Sequence, residues 1–236
     1  MTRPSVYCAV PTYQGQADFD MALRCLTGTD GRADLHVGKV TYSHPEHAFN
    51  ELWVQALNRR VPYDLTHFAM LHTDVVPEPY WLDKLLAILE EHDADMVSVV
   101  IPLKDTSGLT STATDEAAAL DGPKRRPDNL TLRQAHRLPE TFGAEAFPGR
   151  VLLCNTGCFV CRFDRDWNAK VYAKASTWIG RHSQGGFAAF LYPSDWDWSL
   201  QLAKLGCKVL ATRAVECYHG RPEFSNASPY GAEDAA

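Results

Sequence analysis

His67-Phe68-Ala69-Met70-Leu71-His72-Thr73-Asp74 is an apolar run that ends in a carboxylate. A short uncharged run of this kind reads as a strand buried in a sheet. An acid delivered at the carboxyl end of such a strand stands where open α/β sheets place their ligand chemistry. The following Val75-Val76-Pro77-Glu78-Pro79-Tyr80-Trp81 reads as the start of a new helix, which leaves Asp74 on a short corner. An aspartate there can equally do no more than cap the helix or its turn.

Working outward, the first hundred residues alternate between the two hydrophobic periods. Ser5–Val10, Leu35–Tyr42, Thr66–Leu71 and Met96–Leu103 read as strands, the last apolar throughout. Between them Ala17–Leu26, Pro45–Arg59 and Pro79–Glu91 repeat apolar residues at three and four positions, as Phe49, Leu52-Trp53 and Ala56-Leu57 do. This βαβ rhythm predicts an α/β three-layer sandwich around a mostly parallel sheet. The rhythm breaks over 104–150. Thr106-Ser107-Gly108-Leu109-Thr110-Ser111-Thr112-Ala113-Thr114 and the basic Lys124-Arg125-Arg126 read there as a long loop or insertion, a lid or an acceptor contact. Strand character returns at Val151–Phe163, then a helix near Arg165–Lys174 and a Gly-rich link (Gly180, Gly185, Gly186) suited to a hinge. A helix Asp195–Leu205 stopped by Gly206, a strand Lys208–Tyr218 and a polar tail from 223 to 236 complete one domain over 1–222.

With 236 residues, 45% of them hydrophobic and 22% charged, the chain can bury a real core. A net charge of −6 argues against a general nucleic-acid binder. No apolar run approaches the ~20 residues of a membrane helix, and the amino terminus is too mixed for a secretory signal, so a cytoplasmic protein is expected. Seven irregularly spaced cysteines are no disulfide framework. Cys154, Cys158 and Cys161 share the C-x3-C-x2-C spacing of radical-SAM enzymes. They lie within apparent strands that would put Cys158 and Cys161 on opposite faces, so small buried side chains are the default.

Four segments carry chemistry: Val10-Pro11-Thr12-Tyr13-Gln14 leaving the first strand, His72-Thr73-Asp74, Tyr192-Pro193-Ser194-Asp195-Trp196-Asp197-Trp198 opening a helix that ends in Leu205-Gly206, and His219 after the last strand. The first lacks the G-x-G-x-x-G of dinucleotide folds. In this order the four resemble GT-A fold glycosyltransferases, especially family two and its relatives. The resemblance covers about Val6–Leu103 and Leu153–Gly220, and Asn50 matches an asparagine common in the second helix. The chain departs from the pattern where His72 replaces the first aspartate, Ser194 the first acid of the helix pair, and Phe49 a basic residue.

The resemblance implies a metal-dependent, inverting glycosyltransferase that takes a nucleotide-diphosphate sugar, a UDP-sugar by family habit. Pro11, Thr12, Tyr13, Gln14, Asn50, His72, Thr73 and Asp74 would meet the donor. Asp74 and His219 would hold Mn²⁺ or Mg²⁺. Asp195, with Asp197 in reserve, would be the base, and Asn155, Gly157 and Trp196 would touch sugar or acceptor. The acceptor stays open among a saccharide, a protein side chain, a lipid-linked sugar and a hydroxylated DNA base, as does the oligomeric state. A carboxylate within ~3 Å of an acceptor hydroxyl is worth about 10²–10⁴-fold as general base. Residue by residue, humbler readings compete. Ser194-x-x-Asp197 is also a capping box, the helix dipole favours Asp195 at a helix start regardless of function, and Asn155-Thr156-Gly157 is also a simple turn. Two rivals remain: a sugar nucleotidyltransferase, for which Gln14-Gly15-Gln16 is a poor phosphate loop, and a catalytically silent nucleotide-sugar-binding module.

Overall fold

The apolar run becomes the third strand of a seven-stranded sheet in the computed structural model. Residues 3–12, 23–25, 27–42, 44–120, 127–181 and 185–231 are described, Ala118 and Ala119 as backbone alone. In chain order the main elements are β1 (Ser5–Thr12), β2 (Asp34–Thr41), α1 (Pro45–Arg59), β3 (His67–Leu71), β4 (Val75–Pro77), α2 (Trp81–Glu91) and β5 (Met96–Val99). Then come β6 (Leu109–Glu116), β7 (Asp128–Thr131), α3 (Leu132–Arg137), β8 (Thr141–Gly143), β9 (Arg150–Leu153) and β10 (Cys158–Arg162). The last are β11 (Ser176–Arg181), β12 (Phe187–Tyr192), α4 (Ser194–Lys204), β13 (Val209–Thr212), β14 (Cys217–His219) and β15 (Arg221–Ser225).

The large sheet runs β2-β1-β3-β10-β5-β13-β8. β2, β1, β3, β5 and β13 are parallel, whereas β10 and β8 run against them. Alternate side chains of each strand reach opposite faces. Phe68, Met70, Phe159 and Cys161 pack with Phe49, Leu52 and Trp53 of α1 and Trp198 of α4. Ala69, Leu71, Cys158 and Val160 pack with Trp81, Leu82 and Leu85 of α2 on the other face. The expected α/β sandwich is present, and Cys158 and Cys161 do fall on opposite faces. All three cysteines of the cluster are buried free thiols that burial pushes to higher pKa.

Several expectations need correction. Val75–Pro77 is not the start of a helix but a strand paired with β14; the helix begins at Trp81, after Tyr80 takes φ 63°. The 104–150 segment is ordered over its described residues. β6, β7 and β9 form their own sheet, and β8 edges the large one. The threonines read as loop are β-branched strand residues, with Thr110, Thr112 and Thr114 buried. Lys124-Arg125-Arg126 lies outside the described residues, as does most of Ala17–Leu26, of which 23–25 are helical. The helix near Arg165–Lys174 shrinks to a 3₁₀ turn, Asp166–Lys170. The Gly-rich link is the β11–β12 hairpin, with Gly185 and Gly186 at positive φ on its turn. The late strand is split into β13 and β14. The supposed tail supplies β15 and then Asn226, which is 1% exposed and hydrogen-bonds Cys217, Val100 and Val215. Among the described residues no helix is long and apolar enough to cross a membrane.

Candidate active site at the carboxyl edge of the sheet

The parallel strands end at one edge, where their outgoing turns leave a cleft of ≈ 420 Å³. β1 supplies Pro11 and Thr12, and β3 supplies Met70 and then His72, Thr73 and Asp74. The start of α1 brings Glu46 and Phe49; the start of α4 brings Ser194 and Asp195. Thr156 and Leu191 complete the wall. Two of the four chemical segments therefore face each other across one cleft, with the described part of a third beside them. Tyr13 and Gln14 lie outside the described residues.

Asp74 is positioned from both sides of the corner. The Arg24 guanidinium donates to the carbonyls of Thr73 and Val75, and the Gly220 amide donates to the Asp74 carbonyl at 2.7 Å. The pairing of β4 with β14 sets His219 opposite Val75, which carries the imidazole to the aspartate. His219 Nε2 lies 3.5 Å from Asp74 Oδ2. Its Nδ1 is 2.8 Å from the Pro102 carbonyl, which can only accept, so Nδ1 carries the proton. The Nε2 edge of the ring then faces the carboxylate, which draws a positive charge. Lys104 supplies one: its ammonium is ion-paired with the same oxygen, Asp74 Oδ2. Burial works against ionisation of Asp74. The hydrogen bonds from His219 and Lys104 outweigh it and hold the carboxyl well below the usual carboxylate range. His72 donates its amide to the Gly157 carbonyl at 2.8 Å, and burial pushes its imidazole pKa down.

Asp195 is the second residue of α4, whose N-cap is Pro193; the expected Ser194 capping box does not form. Burial pushes the Asp195 carboxyl up to about 6, and the Glu46 carboxylate adds to this, against the Trp196 amide that donates to Oδ1 at 3.0 Å. A carboxylate poised near neutrality in a cleft has the properties of a general base.

The other candidates are placed elsewhere. Asp197 is buried two residues on, taking a 2.7 Å bond from Gln201, and does not line the cleft. Asn50 donates to the Ala173 carbonyl at 2.9 Å and accepts from the Ala173 amide at 2.7 Å. Asn155 bonds the Val99 carbonyl and the Gly157 amide, and so builds the turn before β10. A side chain at Gly157 would meet Ile101 at 3.0 Å. Trp196 gives its indole N–H to the Ser111 carbonyl and packs edge-on with Tyr192. Sequence reasoning passed over Lys104, Arg24, Glu46 and Thr156. For Lys104 a signal existed: it is the first cation after a strand buried on both faces.

Asp74 Oδ2 and His219 Nε2 are the atoms here that could hold a divalent cation, as one oxygen and one nitrogen donor with coordination places left over. Among the described residues no group of three or more His, Cys, Asp or Glu side chains is gathered for a metal. The pair therefore fits an ion held mainly by a ligand's own oxygens.

No protein-family model matches this chain, and no curated protein sequence matches it. Among solved structures it is similar to A197 from STIV, with a TM-score of 0.53 and 13% identity, covering 99% of this chain and 96% of that one. Residues 1–349 of S. aureus TarS give a TM-score of 0.46 at 13% identity over 93% of this chain, which spans 61% of that one. The same protein in complex with UDP-GlcNAc gives 0.46 at 12% identity, over 91% of this chain and 58% of that one. At such identity the likeness to A197 is one of fold alone, an α/β sandwich around a mostly parallel sheet.

Proposed function

We propose that the chain is a glycosyltransferase that moves a sugar from a nucleotide-diphosphate donor, a UDP-sugar in the first instance, to an acceptor hydroxyl. The single observation that carries this reading is the shared cleft: Asp195, with its raised pKa, lines the same wall system as Asp74, whose carboxylate meets His219 and Lys104. The two opposite chemical demands of such a transfer would both fall within this cavity. A departing diphosphate needs positive charge, and an attacking hydroxyl needs a base.

Pro11 and Thr12 lie where the nucleotide would enter, beside β2. Asp74 and His219 would hold Mn²⁺ or Mg²⁺, which when bound offsets the charge gathering on the diphosphate. Asp195 takes the acceptor's proton as the oxygen attacks the anomeric carbon. Attack from the face opposite the leaving group, in one displacement, inverts that centre. Phe49 and Met70 form an apolar floor that limits water, the competing acceptor.

The test is incubation of the full chain with UDP-, GDP- and TDP-sugars and Mn²⁺, followed by analysis of the nucleotide. Release of nucleoside diphosphate, lost in Asp195→Asn, supports the transferase. Formation of nucleoside triphosphate from a nucleotide sugar and pyrophosphate overturns it in favour of a nucleotidyltransferase. Binding without turnover for every donor and acceptor tried overturns it in favour of a binding module.

A further inference from the structure

Lys104 is ion-paired with the Asp74 carboxylate, and a metal held by Asp74 and His219 gives its ammonium no place there. Its ammonium and His219 Nε2 meet the same oxygen, Oδ2. A divalent cation bound between Asp74 and His219 would stand at contact distance from that ammonium, and like charges that close repel strongly. Either the lysine leaves or the metal does. The surroundings give the lysine a place to go. Lys104, His219, Gly220, Arg221 and Phe224 line a second cavity of ≈ 360 Å³, and Lys104 and His219 both contact Asp74, which lines the first cleft. The Lys104 chain runs past Gly220, where an added Cβ would touch Cδ and Cε at 3.8 Å. Arg221 makes this cavity more cationic still; its 3.7 Å contact with Glu223 is a loose one at a largely exposed site.

We propose that Lys104 is an exchangeable counter-ion of the diphosphate site, which neutralises Asp74 in the empty cleft and transfers to a phosphate oxygen when a diphosphate binds. This rests on the donor reading above and extends it. Lys104 belongs both to the affinity for diphosphate and to the resistance of Asp74 against metal. The two roles have opposite signs, which a merely structural lysine would not produce. An ammonium is a compact point charge on a flexible stem, so it can exchange partners in this way.

The experiment is calorimetric titration of the full-length wild type, Lys104→Met and Lys104→Arg. Inorganic pyrophosphate and UDP are titrated in EDTA, and Mn²⁺ is titrated alone. Loss of one charge-assisted contact corresponds to an affinity drop of about tenfold or more. Lys104→Met is expected to bind pyrophosphate and UDP in EDTA about tenfold more weakly and Mn²⁺ several-fold more tightly, while Lys104→Arg keeps the phosphate affinity. Thermal melts matched to the wild type show that the variants are folded, as the half-exposed position of Lys104 allows. Unchanged phosphate affinity, or unchanged Mn²⁺ affinity, in Lys104→Met overturns the role of Lys104 and leaves the donor reading in place. Wild type that binds neither pyrophosphate nor UDP, with or without Mn²⁺, overturns both.

Discussion

His219 faces Asp74 because two three-residue strands from distant parts of the chain are laced together, Val75 opposite His219 and Pro77 opposite Cys217. Neither strand is long enough to persist alone. What fixes them is β15, which pairs with the other edge of β14, and Asn226, which bonds the Cys217 amide. The cleft therefore inherits its geometry from backbone pairing rather than from the side chains that act in it.

Asp74→Ala removes the oxygen on which His219 and Lys104 converge. Metal-dependent binding of a UDP-sugar and release of UDP are both expected to fall by at least about a hundredfold, since an oriented charge at a leaving group is worth several kcal/mol. Titration with and without Mn²⁺ checks this. Retained metal-dependent binding would remove Asp74 from the site.

Asp195→Asn is expected to keep donor binding and lose transfer by about 10²–10⁴-fold. In the wild type, the base works only when ionised, so the rate should fall as pH drops through about 6. A transfer rate flat from pH 5 to 8 would exclude this role.

The same carboxyl has a signature in stability. Its pKa is higher in the folded chain than the ordinary 3.8, so the folded state binds its proton more tightly than the unfolded state does. That contribution is complete below the ordinary value and is lost as pH rises through about 6. Ionised Asp195 thus costs the fold roughly 3 kcal/mol at pH 8. Asp195→Asn should raise the melting temperature at pH 8 and leave it nearly unchanged at pH 4, as differential scanning calorimetry would record.

Asn50→Ala breaks both hydrogen bonds to Ala173 and leaves buried backbone groups with one partner fewer. A loss of about 1–3 kcal/mol in urea denaturation is expected, with UDP affinity unchanged in the folded fraction. A weaker affinity at unchanged stability would return Asn50 to the donor site.

Asn226→Ala is the distant control on His219. It unties the Cys217 amide and the carbonyls of Val100 and Val215 at once, at a cost of about 2–4 kcal/mol. Mn²⁺ affinity should drop as well, though residue 226 touches no proposed ligand atom. Titration at a temperature where the variant is folded separates the two effects.

These residues also show what the sequence made legible. The helix Pro45–Arg59 is readable because it repeats its period several times, and the strand ending at Leu71 because it is a short run of apolar residues. Asp74 follows from strand-end logic, and Asp195 from the resemblance to GT-A fold glycosyltransferases. A three-residue strand such as Val75–Pro77 has no period to read, and its proline and following glutamate imitate a helix start. Polar strands hide differently. Leu109–Glu116 buries threonines, and the Thr110 hydroxyl donates to the carbonyls of Thr112 and Leu130. Asn226 looked like tail because its worth lies wholly in long-range partners. Lys104 was hidden because its strand ends at Val99, and the residues between reach the cleft only through an isolated bridge, Pro102 to Thr110.

The position of β10 has a consequence for how the chain assembles. β3 and β5 are separated in sequence by one short strand and one helix, yet in space β10 stands between them, with Val160 opposite both Ala69 and Val97. During synthesis both strands emerge long before their common neighbour, so β3 waits with one edge unpaired and β5 with two, since its other neighbour β13 comes later still. Such edges are sticky, and pairings this remote in sequence are slow to form. A translation product that stops near residue 150 should therefore precipitate or seek a chaperone, whereas one that extends past 162 can join β3 to β5 through β10, and one past 212 can add β13 and β8.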